Sequence, residues 1–260
     1  MVLLSFLVVT GCSRRDILDD YPVSGVEVRL DWSGVTEKLP EGVRIIFYPK
    51  DEKGRKIDTY LSVTGGEVKV PSGHYAVVIY NYDTETVLIR GEESYETIQA
   101  YTNFCKLGIA GTEKMVWGPD PLYVVNIDDL DIQNSEETLI LKLKPKLVIR
   151  TYSFSIKVQG LSNVSNVIGS IGGMADHYFL GKAYAMCDDY PINIDLNVKA
   201  GKIEGVFTTF GLPEAIITRL EIKLPVMMNL MIIKVDNSVQ EVKINITEAV
   251  QEPTGGGGGG

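Results

Sequence analysis

The chain has 260 residues, a hydrophobic content of 45% and a charged content of 23%, which are typical of a globular protein. Its net charge of −9 argues against nucleic acid or an anionic membrane surface as a partner. The chain has no segment with the roughly 20 apolar residues that a transmembrane helix needs, and its apolar start is also far too short. Its length is enough for one large or two ordinary domains.

An apolar run, residues 2–9, opens the chain and leads through small residues into Cys12. An aliphatic residue three positions before the cysteine and a glycine directly before it match the lipobox of a bacterial lipoprotein. We therefore predict a signal peptide over residues 1–11, a lipid on Cys12 and a polar tether over residues 12–24. Each lipid methylene buried in a bilayer contributes about 0.8 kcal/mol, so two or three acyl chains hold a protein firmly.

Two features of this start leave alternatives open. The apolar run is short for a signal peptide, and no Lys or Arg precedes it. One alternative is a buried N-terminal strand in which Cys12 is an ordinary small residue. The missing basic segment also favours a true start upstream of Met1.

Strict alternation of apolar and polar residues begins at Val26 and ends at Trp32, which predicts a half-buried strand. Residues 91–118 are less regular, and both a short helix and bulged strands stay open there. Residues 128–134 are acidic and polar. Short strands with compact turns favour an antiparallel sandwich or barrel over βαβ units. The strands predicted in this half are residues 26–32, 43–48, 57–63, 67–70, 74–82, 86–90, 122–127 and 137–144.

Pro145 separates two alternating runs, and proline belongs at a strand end or a crossover because it has no N–H to donate. We place a domain boundary here, with an N-terminal β-sandwich over residues 25–145 and a C-terminal one over 146–250. The glycine-rich tail, residues 251–260, has few side chains to pack and is expected to be disordered. The strands predicted in this half are residues 146–159, 164–173 (favoured over a helix), 178–186, 192–198, 203–210, 215–224, 227–236 and 240–246.

The sequence shows no catalytic constellation. The two histidines, His74 and His177, are expected to have structural roles, and the Asp176–His177 pair has no second His or Cys at ligand spacing. Paired acids such as Asp128–Asp129 are typical of solvated loops. With no G-x-S-x-G motif either, we predict no enzyme, no metal and no cofactor.

Cysteine and tyrosine give two weaker signals. Cys105 and Cys187 fall in different predicted domains, so we favour free thiols over a disulfide, although the bacterial envelope permits one. Several of the 13 tyrosines lie in the first half, where sheet packing is their favoured role. A carbohydrate-stacking surface is the alternative, and Tyr80 and Tyr82 are the candidates for a ligand or partner surface.

Several short signatures together resemble an uncharacterised lipoprotein family related to the FimB-like fimbrial anchor, or minor fimbrium, subunits of type V pili. The resemblance covers nearly the whole mature chain. Its signatures are the lipobox, Asp31-Trp32, Phe47-Tyr48-Pro49 and residues 70–75, 80–85, 143–145, 170–175 and 207–211.

The resemblance implies two tandem transthyretin-like antiparallel β-sandwich domains and attachment to the outer membrane, at the cell surface, through the lipid. It implies a protein that tethers or terminates a fimbrium, with pilus subunits as partners by strand addition. Cys12 is the one residue to which it assigns a role. The glycine tail lacks the side chains of a donor strand, which indicates a non-donating subunit or a C-terminus beyond Gly260. The alternative function is a surface module that binds a glycan or host ligand, and a hydrolase is disfavoured.

Overall fold

The structure, a computed structural model, describes residues 23–51, 54–105, 114–199, 201–213 and 225–251. Several predicted features lie outside these residues: Cys12, the signal peptide, most of the tether, the strand at 215–224 and nearly all of the glycine tail. The described strands are β1 (Val23–Leu30), β2 (Gly42–Pro49), β3 (Ile57–Ser62), β4 (Gly65–Pro71), β5 (Gly73–Asn81), β6 (Val87–Arg90), β7 (Gln99–Thr102), β8 (Phe104–Cys105), β9 (Met115–Val116), β10 (Tyr123–Ile132), β11 (Leu139–Leu143), β12 (Lys146–Leu147), β13 (Arg150–Lys157), β14 (Val164–Gly172), β15 (His177–Phe179), β16 (Tyr184–Met186), β17 (Ile192–Lys199), β18 (Lys202–Thr209), β19 (Met227–Lys234) and β20 (Val239–Asn245). A short helix, α1 (Thr247–Gln251), follows β20.

The first sheet has the strand order β11-β1-β4-β3-β2-β5-β10-β12 and curls around an apolar core. Alternate residues of its strands point inward, among them Val26 and Val28 of β1, Ile45 of β2 and Ile79 of β5. The alternation predicted from Val26 to Trp32 is confirmed, because every second residue there is buried. The pairing of β1 with β11 is parallel, whereas its other pairing, with β4, is antiparallel.

Strands β2 and β5 are buried on both faces. Their inward residues belong to the core of the first sheet, and Ile46 of β2 and Val78 of β5 point the other way into a second core. There they pack against a four-stranded sheet of order β16-β15-β7-β6, which supplies Ala100 and Ala185. This half of the protein is therefore built in three layers, with β2 and β5 in the middle one.

A further sheet of order β13-β18-β17-β14-β19-β20 encloses the third core. That core contains Ile171 of β14, Ile194 of β17, Phe207 of β18 and Leu230 of β19. The β19–β20 hairpin turns where it was predicted, because Asp236 accepts hydrogen bonds from Ser238 and Asn237 has the positive φ of 65° that such a turn uses.

Three strand pairings join residues on opposite sides of Pro145. Strand β12 pairs with β10, β15 pairs with β7, and β9 pairs with β17. Each half thus contributes strands to a layer of the other half. The division into domains at residues 25–145 and 146–250 stays a prediction.

The all-β sandwich architecture predicted from the sequence is confirmed, and so is a strand rather than a helix at 164–173. The single strand predicted at 178–186 is wrong. Residues 178–186 form the β15–β16 hairpin, which turns at Ala183 with φ 57°. Residues 128–132 continue β10 past a bulge, and residues 91–118 contain β7, β8 and β9. In the described part of the chain, no helix has the length and apolar character that a membrane span needs.

Candidate partner-binding surfaces

Tyr80 and Tyr82 line one cavity of about 310 Å³ at the end of β5, but they contribute to it differently. Tyr80 is 2% exposed and packs in the core between the first sheet and the four-stranded sheet. Tyr82 is 45% exposed, and its ring meets the ring of Tyr60, which is 61% exposed, edge-on at 5.3 Å between centroids. The exposed aromatic surface therefore consists of Tyr60 and Tyr82, and Tyr80 lies beneath it.

Arg44 of β2 is the charged centre of this cavity. Its Nε and Nη2 donate to the two carboxylate oxygens of Asp58, at 2.9 and 2.7 Å, and Nη1 donates to the hydroxyl of Tyr80 at 2.8 Å. Nη1 and Nη2 also donate to the oxygens of Glu92, at 3.1 and 2.7 Å. These bonds occupy all five N–H groups of the guanidinium.

The network shifts the pKa values of its members. Hydrogen bonds from Arg44 lower the pKa of the Asp58 carboxyl, and hydrogen bonds to Asp58 and Glu92 raise the pKa of Arg44. Burial is the main cause that raises the pKa of the Tyr80 hydroxyl. Arg44 thus has no N–H group left to donate to a ligand. A ligand in the cavity would contact the two exposed rings and the carboxylate of Glu92.

The sequence analysis missed Arg44 and Glu92. A signal for Arg44 exists, because a single charge stands inside the apolar run of β2, Val43 to Tyr48. A charge in a buried strand requires a partner. The partners come from β3 and from residue 92, which no local pattern connects to β2.

The outer edge of β13 is the second candidate surface. This strand is the last in its sheet, so beyond β18 it pairs with no described strand. Its inward residues Tyr152, Phe154 and Ile156 pack on the third core but stay half-buried. A cavity of about 490 Å³ is lined by the outward residues Ser153 and Ser155 of this strand, by Phe154, and by Val206 of β18, which is 48% exposed.

The middle of strand β13 also lacks the features that usually protect an edge, and its charges stand only at its two ends, Arg150 and Lys157. From Thr151 to Ile156 it carries no charge and no proline, whereas natural edge strands often carry Lys or Pro to prevent pairing. The opposite edge strand of the sheet, β20, carries Glu241 and Lys243. The geometry and charge therefore favour β13 over β20 as an edge that accepts another strand.

The two histidines lie in different environments. His74 is exposed, with its ring nitrogens 3.6 and 3.7 Å from carboxylate oxygens of Asp129 and Asp131. His177, at the start of β15, is buried, and its Nδ1 lies 2.6 Å from Oδ1 of Asp176.

Cys105 and Cys187 are both free thiols. Burial is the main cause of the raised pKa of the Cys105 thiol. It is also the main reason why the pKa of Cys187 is raised to about 11. Neither thiol is therefore activated as a nucleophile, since the reactive form is the thiolate.

Comparison with known proteins identifies the relatives of this chain. A Bacteroides ovatus protein described as the fimbrium anchoring subunit Fim4B is 52% identical over 261 residues, which cover 96% of this chain and 78% of that protein. A crystal structure of a Bacteroides ovatus protein described as an adhesin superposes with a TM-score of 0.83 at 52% identity, over 94% of this chain and 89% of that one. The fimbrial anchor protein Mfa2 of Porphyromonas gingivalis, at 14% identity, shares the fold with a TM-score of 0.55 over 87% and 83% of the two chains.

These relatives are described as anchoring or adhesive proteins, not as enzymes. The family profile of DUF5119, a domain of unknown function, matches residues 11–195. Because this match spans more than half of the chain, the chain belongs to the DUF5119 family.

Proposed function

We propose that the protein is a lipid-anchored subunit of a fimbrium, which it tethers to the outer membrane or terminates at the cell surface. The observation that carries this proposal is the 52% identity, over 96% of the chain, to a protein described as a fimbrium anchoring subunit. The lipobox around Cys12 supplies the attachment, and the net charge of −9 is consistent with a lipid anchor rather than charge-driven membrane binding. The proposal requires no catalysis.

Strand addition at β13 is the contact that we propose for the fimbrial partner. An added strand would pair its backbone with the open edge and cover the half-buried side chains of Phe154 and Ile156. Main-chain hydrogen bonds would give affinity, and alternate apolar side chains would give specificity. The expected occupant is an extended segment of another fimbrial subunit with an apolar residue at every second position.

Lipid labelling and fimbrial attachment test the anchor. Cells that carry Cys12→Ala in place of the wild-type protein are expected to lose the lipid label and to release fimbriae into the medium. Cys105→Ala is the matched control, because a buried thiol inside the fold should leave both readouts unchanged. Unlabelled wild-type protein, or fimbriae that stay attached in the Cys12→Ala cells, would contradict the proposal.

Charge on the edge tests strand addition. The double variant Ser153→Lys/Ser155→Lys is expected to abolish co-isolation of fimbrial subunits without lowering the melting temperature, because both serines are exposed. Gln240→Lys on β20 is the control and should retain co-isolation. In the isolated protein, the outward amides of β13 should exchange rapidly with solvent. Slow exchange there would show that another part of this chain already covers the edge, which would rule out β13.

A second candidate function is glycan binding at Tyr60 and Tyr82. The observation that favours it is the pair of exposed rings in a cavity that Glu92 also lines, since sugar rings stack on aromatic faces and their hydroxyls donate to carboxylates. A glycan array should then show hits that Tyr60→Ala and Tyr82→Ala both remove. Tyr190→Ala, which disrupts another exposed edge-on pair, is the matched control. An array without hits removes this candidate.

A further inference from the structure

Three side chains of types that bind metal ions in proteins lie close together where the β15–β16 hairpin begins and ends. Asp176 and His177 stand at the start of β15, and Asp188 follows β16. One ligand atom from each lies within 4.8 Å of the other two. The distance from His177 Nδ1 to Asp176 Oδ1 is 2.6 Å, and to Asp188 Oδ2 it is 3.9 Å.

The environment of the cluster favours a cation. The side chains of Asp176 and His177 are 5% and 6% exposed, whereas Asp188 is 54% exposed and opens the cluster to solvent. Two carboxylates face a single imidazole, and a guanidinium nitrogen of Arg90 lies 3.7 Å from Asp188, beyond hydrogen-bond distance. The guanidinium of Arg90 instead lies over the ring of Tyr101, with its carbon 4.7 Å from the centroid.

The surroundings also hold the ligands in place. Asp176 Oδ2 accepts hydrogen bonds from the backbone N–H groups of Asp188 and Tyr190, at 2.9 and 3.4 Å, so its Oδ1 stays directed at His177. Second-sphere bonds of this kind orient metal ligands in proteins. The thiol of Cys187 lies beside the cluster, and its sulfur accepts a hydrogen bond from the backbone N–H of Asp189 at 3.3 Å.

We propose that Asp176, His177 and Asp188 bind one divalent transition-metal ion of the Zn²⁺ class. An imidazole nitrogen with two carboxylate oxygens is a donor set that suits Zn²⁺, with water as the fourth ligand. At bond lengths of about 2.0–2.2 Å, tetrahedral donors stand about 3.4 Å apart. An ion would therefore have to separate His177 Nδ1 from Asp176 Oδ1, now 2.6 Å apart in a hydrogen bond, and draw in the exposed Asp188, now 3.9 Å from Nδ1. When Nδ1 binds the ion, the imidazole carries its proton on Nε2.

The other histidine shows why this cluster differs from an ordinary acidic patch. His74 also has two carboxylates near it, but all three groups are about half exposed, and the ammonium of Lys50 lies 3.0 Å from Asp129. That patch is solvated and already has its own cation. The Asp176–His177–Asp188 cluster is largely buried, and an ion there would clamp the two ends of the β15–β16 hairpin together.

Zinc titration of the untagged, chelator-treated full chain tests the proposal. Calorimetry is expected to show one equivalent of Zn²⁺ bound at this site, with Co²⁺ giving the visible absorption of a tetrahedral ion and Zn²⁺ raising the melting temperature. Asp188→Asn should weaken binding at least about tenfold while the apo protein keeps its melting temperature, because this side chain is half exposed. His74→Ala is the matched control and should bind as the wild type does.

Two further variants decide the ligand set. His177→Gln should abolish the Co²⁺ spectrum, and if this variant does not fold, Asp188→Asn carries the decision alone. Cys187→Ser should leave the affinity unchanged, because its sulfur accepts from the amide of Asp189 at 3.3 Å instead of joining the cluster. Absent binding, binding that Asp188→Asn does not weaken, or binding that Cys187→Ser abolishes would each overturn the proposal.

Discussion

The first sheet and the sheet that begins with β13 contain similar strands, but the side chains of those strands are buried to different extents. In the first sheet, β2 and β5 are buried on both faces, because the curled sheet lies on one side and the four-stranded sheet on the other. In the second, the inward residues of the edge strand β13 are only half-buried. The comparison contrasts strands covered on both faces with an edge that leaves apolar surface for a partner. The inward residues of β11, the edge strand of the first sheet, are also half-buried.

Matched isoleucines give the largest expected contrast. Ile45→Ala in β2 removes a fully buried side chain and should lower the free energy of unfolding by about 2–5 kcal/mol. Ile156→Ala in β13 should cost about 1–2 kcal/mol, because part of that side chain already contacts water. Urea unfolding measures both. Equal losses would show that the edge of the second sheet is as well covered as the centre of the first.

Two glycines with positive φ extend the comparison to the backbone. At Gly65, where φ is 105°, a Cβ would lie 2.0 Å from the carbonyl oxygen of Val28, so Gly65→Ala should cost about 2–3 kcal/mol. At Gly201, beside the start of β18, φ is 78° and a Cβ would meet nothing within 4 Å. Gly201→Ala should therefore cost only the left-handed strain, about 1 kcal/mol. Thermal melting measures both losses. The loss at Gly201 gives the cost of backbone strain alone, and the excess at Gly65 gives the cost of the steric clash with Val28.

Arg44 tests how much a buried ionic network contributes to the first region. Arg44→Met leaves Asp58, Glu92 and the hydroxyl of Tyr80 without their common donor, and we expect a loss of about 1–3 kcal/mol in urea unfolding. The control is Arg29→Met, because the Arg29–Glu27 pair is exposed and such pairs contribute about 0–1 kcal/mol. A loss for Arg44→Met no greater than that for the control would mean that the desolvation cost of the network offsets its bonds.

Local patterns predicted most of the strands, since alternation and turn residues depend on neighbours in the chain. The run from Val26 to Trp32 alternates because one face of β1 is covered. The runs in β2 and β5 do not alternate, and the structure explains this by a second layer on their outer face. That layer could have been inferred from the continuous apolar runs, which are typical of strands buried on both sides.

The layers themselves could not be predicted, because they depend on pairings between distant residues. The sequence around His177 does not indicate that β15 pairs with β7, nor that Asp188 returns to Asp176. The same holds for Tyr80 and Tyr82, which are two residues apart but differ in exposure because β5 ends at Asn81. Of the two rings of the exposed aromatic surface, the sequence candidates include Tyr82 but not Tyr60, and they also lack Arg44, the charged centre of the cavity.

The pH dependence of stability is the smallest expected effect and the most specific to Arg44. The pKa of Asp58 is lowered in the folded protein by its hydrogen bonds with Arg44, so its ionised form stabilises the fold above about pH 4. This contribution is lost as the pH falls through the folded pKa. The wild type should therefore exceed Asp58→Asn in free energy of unfolding by about 0.5–1 kcal/mol at pH 7, and the difference should shrink below pH 4.

Urea unfolding of the wild type and Asp58→Asn between about pH 2.5 and pH 7 measures that difference. This range spans the unfolded pKa of Asp, about 3.9. Asp129→Asn is the control, because its ion pair with Lys50 is exposed and screened by solvent, and its difference from the wild type should vary much less with pH. A difference for Asp58→Asn that stays constant down to the lowest pH would mean that Asp58 stabilises the first region through contacts that do not depend on its charge.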